Sequence, residues 1–302
     1  MRSDIAFKTS DGTTLRGWHY RPARTRKTAP VVVMAHGITA VKEMWLDKYA
    51  EVFAAAGLGV LVYDHRNLGA SDGKPRQEVD PWAQARDYRD AITFAETLPQ
   101  ADPGRIGIWG SSYSGGLAII VGALDRRVKC VVAQVPVISG SENMKRFVRP
   151  DILEMVKQQF DADRRGRAKG TKPGIMPVVA EDPMAPSLLP TPDSWKWFSE
   201  TAKKRAPNWR NELTLRSVEM LGEYEPGYYI HRISPTPFLM IVATGDLLCP
   251  TDTAMEAYNR AREPKKLVLR PGGHFDAYVE DFAATSGAAR DWFVAHLLGK
   301  GA

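Results

Sequence analysis

Cysteine is almost absent: Cys130 and Cys249 are the two in 302 residues. That excludes a disulfide framework and any cysteine-based metal motif. Cys130 stands in the apolar run VKCVV, which reads as a buried strand. Long hydrophobic runs are missing too, and the apolar stretches fall far short of the roughly 20 residues that span a bilayer as a helix. The opening residues MRSDIAFKTSDG are polar and lack the apolar core of a signal peptide. Internal repeats and low-complexity tracts do not occur. Charge of one sign is in only slight excess, +6 from 41 Lys/Arg against 35 Asp/Glu, and gathers in residues 21–27, 164–172 and 203–210. Solvated loops and helix faces account for such clusters, with at most a slight preference for anionic ligands. No basic stripe alternates with aromatic residues, so nucleic-acid binding is disfavoured. The expectation is a cytoplasmic protein that needs no metal, cofactor, membrane or nucleic acid, and whose self-association the sequence leaves open.

What is present is ordinary globular material, 44% hydrophobic and 25% charged. A chain this long buries about 75% of the surface its unfolded form exposes. Two strand-like segments, 4–9 and 13–20, flank Asp11-Gly12, a hairpin signal. Strands and helices then alternate. Strands are predicted at 30–35, 58–63, 106–109, 128–135, 237–243 and 266–269. Helices are predicted at 42–56, 81–98, 113–124, 251–261 and 277–298. Uniformly apolar strands between amphipathic helices predict an α/β fold of about eight mostly parallel strands with helices on both faces. Between 139 and 236 the alternation stops. That stretch holds one predicted helix, 151–164, a Pro-rich connector, 171–192, and a segment with Trp195, Trp197 and Trp209. It reads as a helical cap inserted into a core made of residues 1–138 and 237–302, with apolar faces that need the core to cover them.

The segment IGIWGSSYSGG, residues 106–116, runs from a buried strand through a sharp turn into a helix. Ser112 sits at the turn, two residues after Gly110, in the context of a nucleophile elbow that holds a serine Oγ proud of the sheet. The usual pattern is G-x-S-x-G, and Ser114 stands in place of its last glycine. The plainer alternative is a Gly/Ser-rich turn that binds phosphate or merely turns. Ser111 lies one residue early and Ser114 lies inside the helix.

A serine hydroxyl needs a base to take its proton. Of six histidines, His274 follows the last predicted strand, after Gly272-Gly273. His19, His231 and His296 read as structural or surface residues. The base needs an acceptor to fix its tautomer. Asp246 lies at the carboxyl end of its strand, where α/β sheets place ligands. Asp252 reads as a helix N-cap, and Asp276 is too near His274 in sequence to orient it. The oxyanion formed on attack needs preorganised donors; the backbone N–H groups of Tyr113 and Ile38 are the candidates, with His36 a structural partner in that loop.

These stretches, with HGITAVKEMWLDKYAEVFAAAG, YDHRNLGASDG and RPGGHFDAYVEDF, make the chain resemble the α/β-hydrolase superfamily along nearly its whole length. Within it, they resemble hydrolases related to dienelactone hydrolases. They are also similar to fungal polyketide transferases that carry an Xaa-Pro dipeptidyl-peptidase-like domain. The resemblance implies strand order 1-2-4-3-5-6-7-8 with a cap after strand six. It implies the triad positions for Ser112, Asp246 and His274, in the chain order of that superfamily. Asp64 and Arg66 read as pins of their loop, and His65 is left without a function.

The leading expectation is a serine hydrolase of carboxylic esters, lactones or thioesters acting through an acyl-enzyme. An acyltransferase using the same intermediate is the second, and a non-catalytic ligand-binding relative the third, against which the intact Ser/Asp/His set argues. The substrate is expected to be a small molecule with an apolar acyl or alcohol part. Trp195, Trp197, Met144 and Phe147 are the expected pocket residues, and the alternative is that the tryptophans only fasten the cap to the body.

Overall fold

The computed structural model describes residues 2–23 and 28–299; residues 24–27 of the basic cluster at 21–27 lie outside the described residues. The chain opens with an antiparallel hairpin, β1 (Arg2–Lys8) and β2 (Thr14–Tyr20). β3 (Ala29–Ala35), α1 (Leu46–Ala55), β4 (Gly59–Tyr63), α2 (Pro81–Ala95), β5 (Ala101–Ser111), α3 (Tyr113–Leu124) and β6 (Val128–Gln134) follow. Next come α4 (Gly140–Phe147), α5 (Leu153–Ala168), the short β7 (Ile175–Met176), α6 (Pro192–Lys204), the short β8 (Leu213–Thr214) and α7 (Leu215–Gly222). A 3-10 turn at Pro226–Arg232 leads to β9 (Phe238–Ala243), α8 (Thr251–Arg260), β10 (Lys265–Arg270), a 3-10 turn at Asp276–Tyr278 and α9 (Phe282–Leu298).

Eight strands form one sheet in the order β1-β2-β4-β3-β5-β6-β9-β10, the expected order. β2 meets β1 and β4 antiparallel, and the other neighbours are parallel. Every residue of β3, β4 and β9 is buried, as helices on both faces require. One face packs Tyr88, Ile92, Leu117, Ile120 and Ala254 from α2, α3 and α8. The other packs Tyr49, Phe53, Phe293 and Leu297 from α1 and α9. The insertion joins both layers: Trp197 and Phe198 pack with the second cluster, Tyr224 and Ile230 with the first. No helix among the described residues is long and apolar enough to cross a membrane.

Three departures from the expected elements have local causes. The helix expected at 42–56 begins only at Leu46. The Lys42 amide and Nζ are both held by Asp64, each at 2.7 Å, and Trp45 adopts φ 71°. The last helix is broken before α9, where Asp281 turns its carboxylate onto Arg270 at 2.5 and 2.6 Å. The insertion holds four helices rather than one. α4 is capped by the Ser139 hydroxyl, which accepts from the Glu142 amide, and α6 starts with a proline in its first turn.

Candidate active site

All the parallel strands present their carboxyl ends to one edge, and the chemistry-bearing side chains collect there. β5 passes into α3 at Ser112, which is forced to φ 58°, ψ −123°. Left-handed backbone at a non-glycine residue survives only where its surroundings over-determine it. Here the Ser112 amide donates to the Gln134 carbonyl at 2.9 Å, and its own carbonyl accepts from Val137 at 3.0 Å. Gly110 is required beneath it, because a Cβ there would lie 1.9 Å from the Ser114 carbonyl oxygen. Ser112 is 7% exposed and lines a cavity that His274 also lines.

His274 is carried by the loop after β10. Gly272 turns that loop at φ 97°, and a Cβ there would strike the Asp276 carboxylate. The carboxylate in turn accepts from the Gly273 amide at 2.7 Å, so Asp276 shapes the loop and does not orient the ring. The loop after β9 is strapped alongside by Gly245 N–H donating to the Gly272 carbonyl at 2.8 Å. This brings Asp246 Oδ2 to 2.7 Å from His274 Nδ1, with both residues buried. Asp246 Oδ1 accepts from the Leu248 and Cys249 amides, each at 2.8 Å. The carboxylate is thereby fixed on one oxygen and free on the other to hold Nδ1–H, which leaves Nε2 of the ring as the basic nitrogen. Asp252 is elsewhere. Its side chain is 67% exposed and pairs with Arg146 at 2.7 Å. It lies inside the first turn of α8, whose N-cap is Pro250, so it is not the cap the sequence suggests.

The other expected groups are also near. Ile38 lines the cavity, and Tyr113 follows Ser112 as the first residue of α3. Among the described residues neither backbone N–H has an internal acceptor. Two unpaired amides flanking a serine can hold a developing negative charge.

Nothing in the spacing along the chain marks Cys249 as a neighbour of this centre. Its thiol is pushed well above its usual pKa, first by burial and then by the Asp246 charge, with the nearby Ser112 side chain pulling the other way. Asp246, Cys249 and His274 could offer a cation three ligand atoms within 4.8 Å of one another. The carboxylate and ring are already bonded together, however, and burial keeps the thiol protonated, so the set is better suited to proton handling than to metal.

The cavity is small and opens to solvent. Its apolar walls include Met44, Leu46, Leu189, Trp197, Phe198, Phe275 and Tyr278. Of the four expected pocket residues, Trp197 stands in the wall, stacked 4.9 Å from Phe275. Trp195, Met144 and Phe147 do not line it. Met144 lies on α4, which buries none of its residues, and its terminal methyl covers Gly222. Phe147 and Trp195 are partly buried against the second core cluster. Trp209 is a fastener: its Nε1–H donates to the Thr39 carbonyl at 3.1 Å, and its ring stacks on Phe198.

Comparison with known proteins places this arrangement in company. The profile of the X-Pro dipeptidyl-peptidase (S15 family) matches residues 11–276. A thiohydrolase from Eupenicillium brefeldianum is 36% identical over 279 residues, covering 91% of this chain and 88% of the relative. The polyketide transferase grgF from Penicillium sp is 31% identical over 297 residues, covering 98% and 97%. The crystal structure of the alpha/beta hydrolase GrgF from Penicillium sp. sh18 superposes with a TM-score of 0.86 at 27% identity, covering 99% of both chains.

Proposed function

This chain belongs to the X-Pro dipeptidyl-peptidase (S15) family within the α/β hydrolases, and from that premise we propose that it is a serine hydrolase acting on a carboxylic ester, lactone or thioester. Ser112 Oγ attacks the carbonyl carbon as His274 Nε2 takes its proton. Asp246 holds the ring in the Nδ1–H tautomer and stabilises the imidazolium. The Ile38 and Tyr113 amides receive the oxyanion. Collapse expels the alcohol or thiol, which leaves with the proton from His274. Water activated by the same ring then releases the acid. Residues 1–138 and 237–302 form the catalytic core, and 139–236 the cap whose Leu189, Trp197 and Phe198 wall the acyl pocket. The observation that carries the reading is the strained Ser112 sharing a cavity with a histidine held at 2.7 Å by a buried aspartate.

The pocket walls carry no charged side chain among the lining residues, which favours an apolar or aromatic acyl part. The thiohydrolase relative supports a thioester among the substrates. The polyketide transferase relative supports a second reading, in which the acyl group passes from Ser112 to an alcohol or amine instead of water. A panel of p-nitrophenyl esters of increasing length, an N-acetylcysteamine thioester and a lactone, each with and without added alcohol, separates the two. Free acid as the main product in the presence of alcohol supports hydrolysis, and an alcohol adduct supports transfer. No turnover and no burst on any member overturns both.

A further inference from the structure

Ser114 replaces the glycine that usually closes the elbow pattern, and the structure shows what its hydroxyl does. The hydroxyl donates to the His36 carbonyl. Having spent its one proton, it must accept from His65 Nε2–H, 2.9 Å away. The His65 backbone N–H donates to His36 Nε2 at 3.1 Å. That leaves His36 Nδ1 as the protonated nitrogen, and it donates to the Gly37 carbonyl at 2.9 Å. Three residues of zero exposure thus close a ring of hydrogen bonds between the loop after β3, the loop after β4 and the first turn of α3. Burial holds both imidazoles neutral, well below their usual pKa for His65 and below it for His36.

The Gly37 carbonyl and the Ile38 N–H belong to one peptide plane, and in a trans peptide they point in opposite directions. Drawing the carbonyl inward onto His36 turns the amide outward, on the side where Ile38 lines the cavity. We propose that Ser114 and His65 are positioning residues: their side-chain hydrogen bonds hold the two loops so that the His65 backbone N–H meets His36 Nε2, which keeps His36 in its Nδ1–H tautomer and aims the Ile38 amide at the oxyanion. The same bonds tie that amide's loop to α3, which supplies the Tyr113 amide, fixing the two donors relative to one another. A cost of the arrangement is visible, since His65 Nδ1 is a buried acceptor with no partner among the described residues. An uncompensated polar atom retained beside the elbow marks the ring as more than packing.

The inference rests on the reading of Ser112 as nucleophile. Ser114→Gly restores the usual pattern and removes the two side-chain bonds that hold these loops together, and Ser114→Ala does so without added backbone freedom. Both should lower kcat by about 10- to 100-fold, less than or up to the loss of a whole oxyanion donor. KM should stay within about threefold and the pH midpoint of kcat/KM should not move, because the groups that bind and titrate are untouched. A fluorophosphonate should still label Ser112 to completion, only more slowly. His65→Gln keeps an N–H donor for Ser114 and should retain most activity, whereas His65→Leu should match Ser114→Ala. Variants that melt earlier but keep parental kcat would show a merely structural ring and overturn the proposal, and Ser114→Ala and His65→Leu supply that comparison if Ser114→Gly does not fold. A parent protein that no fluorophosphonate labels overturns the nucleophile assignment instead.

Discussion

Holding a serine at φ 58° costs of the order of 1–3 kcal/mol. Ser112→Gly should therefore be more stable than Ser112→Ala by up to about 2 kcal/mol, once the greater freedom of glycine in the unfolded chain is subtracted. Urea unfolding of the two inactive variants measures this, and equal or reversed stabilities would mean that the elbow is not strained. Carboxylate choice is tested at the same scale. Asp246→Asn should lower kcat by about 10⁴-fold through the wrong imidazole tautomer. Asp252→Asn removes only an exposed pair with Arg146 and should leave kcat/KM near the parent's value. Ser112, Asp246 and His274 are legible in the sequence because each follows a strand end marked by glycine, which is local information. Cys249, Phe275 and Tyr278 carry no such punctuation. The approach of Phe275 and Tyr278 to the cavity, and of Cys249 to Asp246 and His274, depends on how two loops and a 3-10 turn fold back, which spacing along the chain does not encode.

At the level of elements, the sheet strands were legible because β3, β4 and β9 are apolar on both faces. The insertion was not. Its helices α4 and α7 are short, and α6 follows a Pro-rich stretch that reads as a connector. Which face of such a helix meets the cavity is decided by packing, so Trp197 faces inward while Trp195, two residues earlier, does not line it. Leu189 is only partly buried where it lines the cavity, which leaves room for a larger side chain. Leu189→Trp should shift the preferred acyl chain toward shorter esters, in graded steps, since one methylene in a pocket is worth about 1–3 kcal/mol. The kcat/KM profile across the ester panel reads this out, and labelling of Ser112 by a small fluorophosphonate should be unchanged. A profile identical to the parent's would remove Leu189 from the acyl site.

Across the whole molecule, the insertion contributes to both hydrophobic clusters, so unfolding should be one cooperative event. Buried histidines then set its response to acid. His36 and His65 are both depressed below their usual pKa by burial, so below about pH 6.5 the unfolded chain binds protons that the folded one does not. Stability is full above that pH and is lost as pH falls, by up to about 1.4 kcal/mol per pH unit for each ring. Asp87, pushed up to about 6 by burial against the pull of Arg66, contributes with opposite sign as pH falls from 6 toward 4. The difference between the parent and His65→Gln isolates the imidazole, and urea titrations at pH 7, 6 and 5 should show a shallower acid loss in the variant. Equal slopes would mean that His65 is protonated in the folded protein.

A covalent intermediate at Ser112 is central to the proposed chemistry, and intact mass spectrometry after fluorophosphonate treatment tests it most directly. The parent should gain the mass of a single phosphonyl group, and Ser112→Ala should gain none. Undiminished labelling of Ser112→Ala, or an unlabelled parent, would contradict it.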